Sequence, residues 1–337
     1  METWCRTPRA SQEGQPLVFQ ALTWTKYDYN DQFHITCCGC DESGNSVALT
    51  ICDFTPSFFV KIPERLMKLW NRDKTEEFTK WLTKRLGGRG DHLLQVLKVE
   101  AKILYPFTNE TLFPFLKLKF SSHAAFKSAS YAFKKPVTGN TSINGKYEPY
   151  ESNIDPMVRF THIKNLNLAG WIHLNCGEYQ DTRLFTRCAI NVTASWKKIN
   201  PILDKQATAP FVLGSFDIEC DSKATRDKNI EKYDITASRE DKQKLATIFP
   251  DATKPGDEIR IICTSLWKYG TKEYFKHAVC VAPCNAEDTG ADVCECVRDE
   301  KELLIKWFAM LRQLDPDVLM GWNIYGFDDE YIYKRLI

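Results

Sequence analysis

No stretch of this chain approaches the roughly 20 consecutive apolar residues that a membrane-crossing helix needs. Its opening run, METWCRTPRASQEGQ, has no apolar core of the kind a secretory leader carries. Neither membrane spanning nor secretion is expected, and no membrane partner is. Internal repeats and low-complexity tracts are also missing. Regular cysteine pairing is another absence: the 13 cysteines are odd in number and irregularly spaced, which suits a reducing intracellular compartment better than a disulfide framework. Net charge is almost absent at +1, but that value hides a split. Residues 1–210 carry 27 Lys and Arg against 20 Asp and Glu, and residues 211–337 carry 18 against 24. A basic half can lie against a polyanion and an acidic half can hold cations, although two ordinary solvated surfaces would look the same.

What is present is the composition of an ordinary globular protein, 43% hydrophobic and 26% charged, with 337 residues for two or three domains. Residues 17–62 read as β-rich, with QFHITCCGC and SVALTICDF joined by the turn DESGN. A helix is expected next, opened by a capping box of Asp73 and Glu76 and stopped at Gly87-Gly88, with Phe78, Trp81, Leu82 and Leu86 on one side. LFPFLKLKF reads as a strand and HAAFKSASYAF as a helix, and KKPVTGNTSINGKYEP reads as a loop. WIHLNC and TRCAINVTASW read as strands, and NPILDKQATAP as a linker, so the domain division is expected as 1–207 and 208–337. The second domain opens on a strand and a polar excursion at 221–256. DEIRIICTSLW and KEYFKHAVCVA follow as strands joined by a turn at Lys268-Tyr269-Gly270-Thr271. An amphipathic helix then places Leu303, Leu304, Trp307, Leu311 and Leu314 together, before the strand DVLMGW and a last helix from Phe327. The order β-β-β-α-β-α, opening on an antiparallel meander, predicts a mixed sheet covered by helices, the layout of an RNase H-like core.

The chemistry concentrates in two strings. In APFVLGSFDIECDS, Asp217 and Glu219 sit within an apolar strand, and residues two apart project from the same face. Adjacent carboxylates repel and are costly to bury unless something cationic neutralises them. In LDPDVLMGWNIYGFDDEYIYKRL the apolar strand ends at Asn323, and Asp328 opens a helix, where free backbone N–H groups stabilise a carboxylate. Taken singly, Asp328 reads as a first-turn cap and the other pair as a solvent-facing strand edge. In the expected sheet the first strand and this strand–helix junction are neighbours. Carboxylates converging there can hold two divalent ions about 3.5–4 Å apart, an arrangement suited to phosphodiester hydrolysis. Mg²⁺ is the natural ion, since it takes hard oxygen ligands and shares its sphere with phosphate and water.

FDIE followed by NIYGFD resembles the first and second exonuclease motifs of family B DNA polymerases, and MLRQLDPDVLMGWNIYGFDDEYI resembles the δ-like branch over more than twenty consecutive residues. Upstream, VFQALTWTKYD, DFTPSFFVKIP, YPFTNETLFPFLKLKFSSHAAFKSASYAFKKP and YESNIDPMVRFTHIKNLNLAGWI resemble the N-terminal domain of these enzymes in large DNA viruses. The resemblance implies a mixed α/β chain: a β-rich N-terminal domain, then an RNase H-like 3′–5′ exonuclease domain truncated at its C-terminal end. It implies Asp217, Glu219 and Asp328 as catalytic, metal-binding carboxylates for Mg²⁺. Asn323 and Phe327 match positions that contact the single-stranded 3′ end, beside the plainer roles of turn former and core residue. The implied partner is DNA, as a single-stranded 3′ end here and as primer–template in the complete enzyme, which the resemblance also allows a sliding clamp. The implied location is the nucleus or a cytoplasmic replication site of an infected cell.

Two elements of that family pattern are missing. A third motif, Tyr-x-x-x-Asp on a later helix, would complete one metal site and orient the attacking water. Tyr27 to Asp31 lies in the wrong domain, and Tyr325 to Asp329 overlaps the second motif. No paired-aspartate string resembles the polymerase palm, because Asp315-Pro316-Asp317 closes a helix and enters a strand. The expectation is an N-terminal part of a polymerase, cut within the exonuclease domain and catalytically incomplete alone. The rivals are a stand-alone exonuclease and a non-catalytic nucleic-acid-binding module derived from a polymerase. Cys280, Cys284, Cys294 and Cys296 lie within seventeen residues, but spacings of C-x3-C and C-x-C depart from the usual paired zinc pattern, and Cys280 falls in an expected strand. Structural zinc is therefore not expected. Cys37, Cys38 and Cys40, and His123 and His162, offer still less. The aromatics among lysines in FPFLKLKF read as core packing rather than base stacking.

Overall fold

Strand periodicity governs both halves of the chain, whose computed structural model describes residues 4, 14–103, 108–139, 142–182, 186–223 and 249–337. Most of the polar excursion expected at 221–256 lies outside the described residues. Two compact units emerge, one of Arg9–Asp41 and Ser46–Gln206, the other of Ala207–Ile337 with Glu42–Asn45. No helix among the described residues is long and apolar enough to cross a membrane.

The first unit contains β1 (Leu17–Tyr29), β2 (Gln32–Asp41), β3 (Ser46–Cys52), β4 (Ser57–Lys61), α1 (Glu64–Met67), α2 (Arg72–Leu86), β5 (Leu93–Lys102) and β6 (Leu112–Phe120). It continues with α3 (His123–Ala132), β7 (Glu148–Tyr150), α4 (Pro156–Ile163), β8 (Trp171–Leu174), β9 (Gln180–Asp181), β10 (Ile190–Ser195) and β11 (Asn200–Ile202). They form a seven-stranded sheet, β11-β8-β1-β2-β3-β10-β9, and a four-stranded one, β5-β6-β4-β7. Alternate residues Phe19, Ile35, Leu49 and Ile51 are fully buried with Phe160 of α4. The smaller sheet buries Phe58, Val60 and Leu118 beneath Phe78 and Leu82 of α2 and Phe126 of α3.

Two expectations are corrected here. The cap of α2 is Asn71, whose side chain accepts from Lys74 N, and Asp73 lies inside the first turn; Gly87 ends the helix as expected, at φ 58°. The start of the expected linker, Asn200–Ile202, is instead the edge strand β11 paired with β8. A Pro within it leaves that strand no ladder donor there, which an edge tolerates.

The second unit contains β12 (Val212–Asp221), β13 (Glu258–Lys268), β14 (Tyr274–Cys280), α5 (Ala286–Thr289), β15 (Val293–Cys296), α6 (Glu300–Leu314), β16 (Val318–Met320) and α7 (Asp328–Leu336). Its sheet order is β15-β14-β13-β12-β16, antiparallel through the central meander and parallel at both edges. α6 lays Leu303, Leu304, Trp307, Met310 and Leu314 against Phe216, Ile262, Leu266 and Val279. The indole of Trp307 donates to Thr264 Oγ1 at 3.0 Å, satisfying both groups inside that layer. The strand β15 was not expected. Its segment, VCEC, has no apolar alternation, and pairing with the free edge of β14 is what makes it a strand.

One ion pair fastens the ends of this unit. Arg335 Nε donates to both carboxylate oxygens of Glu300, at 2.9 and 3.0 Å, while Glu300 Oε1 accepts Ile259 N–H at 2.8 Å. Arg335 also donates to the carbonyls of Ala252 and Lys254. Removing one partner strands a largely buried charge, so Arg335→Ala should cost about 3 kcal/mol of stability. The readout is a lower urea midpoint at unchanged slope. A loss below about 0.5 kcal/mol would place the pair with ordinary surface salt bridges.

Candidate active site

The face of β12 turned away from α6 carries Asp217 and Glu219, both exposed, while Phe216 and Ile218 are buried on the other side. Neither carboxylate enters the core, so the strand accommodates them without a buried charge. Asp328 differs. It opens α7 and is only 2% exposed.

The backbone explains how Asp328 reaches β12. β16 pairs in parallel with β12 only over Leu213–Ser215, after which the two chains diverge. Gly321 lies at the divergence: a Cβ there would meet Phe216 O at 2.7 Å and Ile324 Cγ2 at 2.3 Å, so only glycine passes so close. Past that crossing, Asp328 Oδ1 accepts the Ile218 N–H at 3.2 Å, taking the edge position that β16 has vacated. The carboxylate expected as a first-turn cap is therefore bonded to the neighbouring strand, between Asp217 and Glu219 in sequence. Burial pushes the Asp328 carboxyl above its ordinary range, the negative charges of Asp217 and Asp329 add to the rise, and the Ile218 N–H opposes it.

The candidate donors on this side are all carboxylate oxygens, two open to solvent and one buried and electrostatically linked to Asp217, but the three do not close into one cluster: among the described residues only Cys280, Cys284 and Cys294 bring three ligand atoms within 4.8 Å of one another. That hard, like-charged set fits a hard divalent cation such as Mg²⁺, which would offset the burial and the smaller like-charge repulsion that raise Asp328.

Asn323 sits at the tip of the strand–helix junction with φ 56°, in the left-handed region that Asn tolerates. Its carbonyl accepts the N–H groups of Gly326 and Phe327 at 2.9 and 3.1 Å. Its side chain lies over Gly326, where a Cβ would come within 2.4 Å of Asn323 Oδ1. The plainer reading, a turn former, thus describes its local role. Phe327 is half-buried, with its ring 5.4 Å from Tyr331 and edge-on to Phe249 at 5.5 Å, so it packs at the rim of the core. Sequence reasoning missed the two residues beside them. Trp322 is 92% exposed and Tyr325 85% exposed, both in the turn that joins β16 to α7. Trp322 read as the last residue of an apolar strand, but β16 stops at Met320. Gly321 before it and Asn323 after it were the available signals that the chain turns there.

A sequence model described as "DNA polymerase family B, exonuclease domain" matches residues 147–337. The DNA polymerase of Acanthamoeba polyphaga mimivirus is 30% identical over 338 residues, covering 95% of this chain and 18% of its own length. The DNA polymerase of Pyramimonas orientalis virus is 25% identical, over 96% of this chain and 36% of its own. The DNA polymerase delta catalytic subunit of Caenorhabditis elegans is 29% identical, over 90% and 28%. The chain thus spans well under half the length of these relatives. Its fold also matches the family B DNA polymerase of the hyperthermophilic archaeon Pyrobaculum calidifontis, with a TM-score of 0.61 at 16% identity, over 95% of this chain and 32% of that one. With more than half of its residues inside the matched region, the chain belongs to DNA polymerase family B and carries a region that matches that family's exonuclease domain.

Proposed function

We propose that residues 208–337 are the first part of a 3′–5′ exonuclease site that removes nucleotides from single-stranded DNA ends, and that residues 1–207 are the N-terminal domain of the same replicative polymerase. The complete enzyme would act on primer–template DNA at an intracellular replication site. Asp217, Glu219 and Asp328 are the ligands for Mg²⁺, which when bound supplies activation of water and charge stabilisation at phosphate. Asp217 and Glu219 offer their oxygens from the open face of β12. Asp328 fixes the edge of that strand through Ile218 N, close enough to Asp217 for the two charges to interact. Asn323 holds the turn that carries Trp322 and Tyr325 into solvent, and Phe327 anchors that turn to the core, so the strand end is received beside the carboxylates. Among the described residues nothing points to a sliding-clamp contact, and none is part of this proposal.

The observation that carries this reading is the buried Asp328 carboxylate held on the vacated edge of β12 next to Asp217. Mn²⁺, a paramagnetic stand-in for Mg²⁺, provides the test. Electron paramagnetic resonance titration should show binding that weakens at least tenfold in Asp217→Asn and in Asp328→Asn. The second variant keeps an oxygen to accept from Ile218 N, so the fold is retained. Equal affinity in wild type and both variants would remove the metal site from these residues.

A further inference from the structure

At the opposite edge of the same sheet, four thiols converge that the sequence had scattered over seventeen residues. β15 runs parallel to β14 in a register that pairs Ala278 with Cys294 and Cys280 with Cys296. Cys294 and Cys296 are two apart on one strand, so they share a face, and Cys280 shares it as the partner of Cys296. The loop after β14 then folds Cys284 back over that face. Its Sγ lies 2.9 Å from Cys294 Sγ and 3.5 Å from Cys296 Sγ. The sulfurs of Cys280, Cys284 and Cys294 all lie within 4.8 Å of one another. Cys284 N–H donates to Cys296 Sγ at 3.3 Å, a bond that favours the thiolate.

We propose that Cys280, Cys284, Cys294 and Cys296 form a structural zinc site. Tetrahedral Zn–S bonds of about 2.3 Å place sulfurs about 3.8 Å apart, the scale on which Cys280, Cys284 and Cys294 already meet, while Cys296 lies outside that mutual group and joins it through Cys284, 3.5 Å away. A disulfide would use two of the four sulfurs and leave two crowded beside it, whereas one soft divalent ion uses them all. Binding is not a redox step: each thiol gives its proton to solvent, four S–H bonds are replaced by four Zn–S bonds, and no electron is transferred. All four positions are filled by protein, so the site holds structure and performs no chemistry on a substrate.

The spacing that argued against zinc has a physical explanation. Zinc knuckles supply ligands from turns, but here C-x-C lies on a strand, where alternate residues face one way. Position in the fold says what the ion would do. β15 is a four-residue edge strand, held on its other face by Glu295, which meets His277 Nε2 at 3.1 Å and Lys306 Nζ at 2.8 Å. A tetrathiolate on the near face would clamp the same strand from the opposite side. That face also carries Cys263, the cross-strand partner of Asp217, so the clamp stiffens the sheet from which the carboxylates project.

The test uses the whole 337-residue chain purified with zinc in the medium and without chelators. Metal analysis should find one zinc per chain, falling to background in Cys284→Ser and in Cys294→Ser and unchanged in Cys176→Ser, an exposed cysteine elsewhere. Should the site variants fold poorly, Co²⁺ exchange into the wild-type chain decides the matter. Thiolate-to-cobalt charge-transfer absorption with tetrahedral d–d bands supports the proposal, and octahedral cobalt overturns it. Zinc at background in the wild type, or a mapped Cys284–Cys294 disulfide in the folded chain, also overturns it.

Discussion

Purified residues 1–337 should incorporate no nucleotide and show little or no Mg²⁺-dependent degradation of single-stranded DNA. Asp217, Glu219 and Asp328 are present, but no Tyr-x-x-x-Asp string falls where a further helix could bring it to them. On the proposed reading one metal position would lack a carboxylate, and the attacking water would lack the hydroxyl that orients it. Both effects act in the transition state, so their loss lowers turnover by orders of magnitude rather than weakening binding alone. A longer chain that includes such a helix should regain nuclease activity, and Asp217→Ala with Glu219→Ala should abolish it again. Those variants replace exposed side chains on β12, so unfolding does not confound the comparison. Robust metal-dependent digestion by the 337-residue chain would instead make it a stand-alone exonuclease.

Replacing Trp322 and Tyr325 together should weaken single-stranded DNA binding by at least about thirtyfold, and by up to about four orders of magnitude, while leaving stability unchanged. Base–aromatic stacking contributes about 1–3 kcal/mol per ring, and 1.4 kcal/mol is tenfold in affinity. At 92% and 85% exposure these rings contribute almost nothing to the core, so their loss is felt only by a ligand. Salt separates stacking from phosphate contact. Affinity should fall as salt rises in wild type and variant alike, with the same slope, because no cation has been removed. Fluorescence anisotropy with a labelled single strand measures both quantities. Unchanged affinity in the double Trp322→Ala, Tyr325→Ala variant would leave the turn without a DNA role.

The contrast between Asp217 and Asp328 shows what each level of description could reach. A two-residue period decides which face Asp217 and Glu219 take, and that is written in the alternation of SFDIE. Helical spacing likewise marked Leu303, Leu304, Trp307, Leu311 and Leu314 as one stripe, and all but the partly buried Leu311 are buried. Where a short-range pattern fixes the outcome, the sequence was sufficient: the strands of the meander, the helix covering them and the resemblance to family B polymerases were all legible. Asp328 could be placed at a helix start, but its bond to Ile218 N depends on where β16 leaves β12, and no local pattern encodes that divergence.

The other surprises share the same cause. Asn71, extended and accepting from Lys74 N, caps α2, although Asp73 and Glu76 spelled a capping box. Trp322 is exposed because β16 ends two residues before it. The four cysteines looked badly spaced because their spacing was judged along the chain, while their meeting depends on a strand that exists only through its partner. Sequence alone determined what each segment could be and which face its side chains would take. Only the tertiary structure decided which edges met, because pairing two distant segments depends on the backbone groups each leaves unsatisfied and not on the residues near either one.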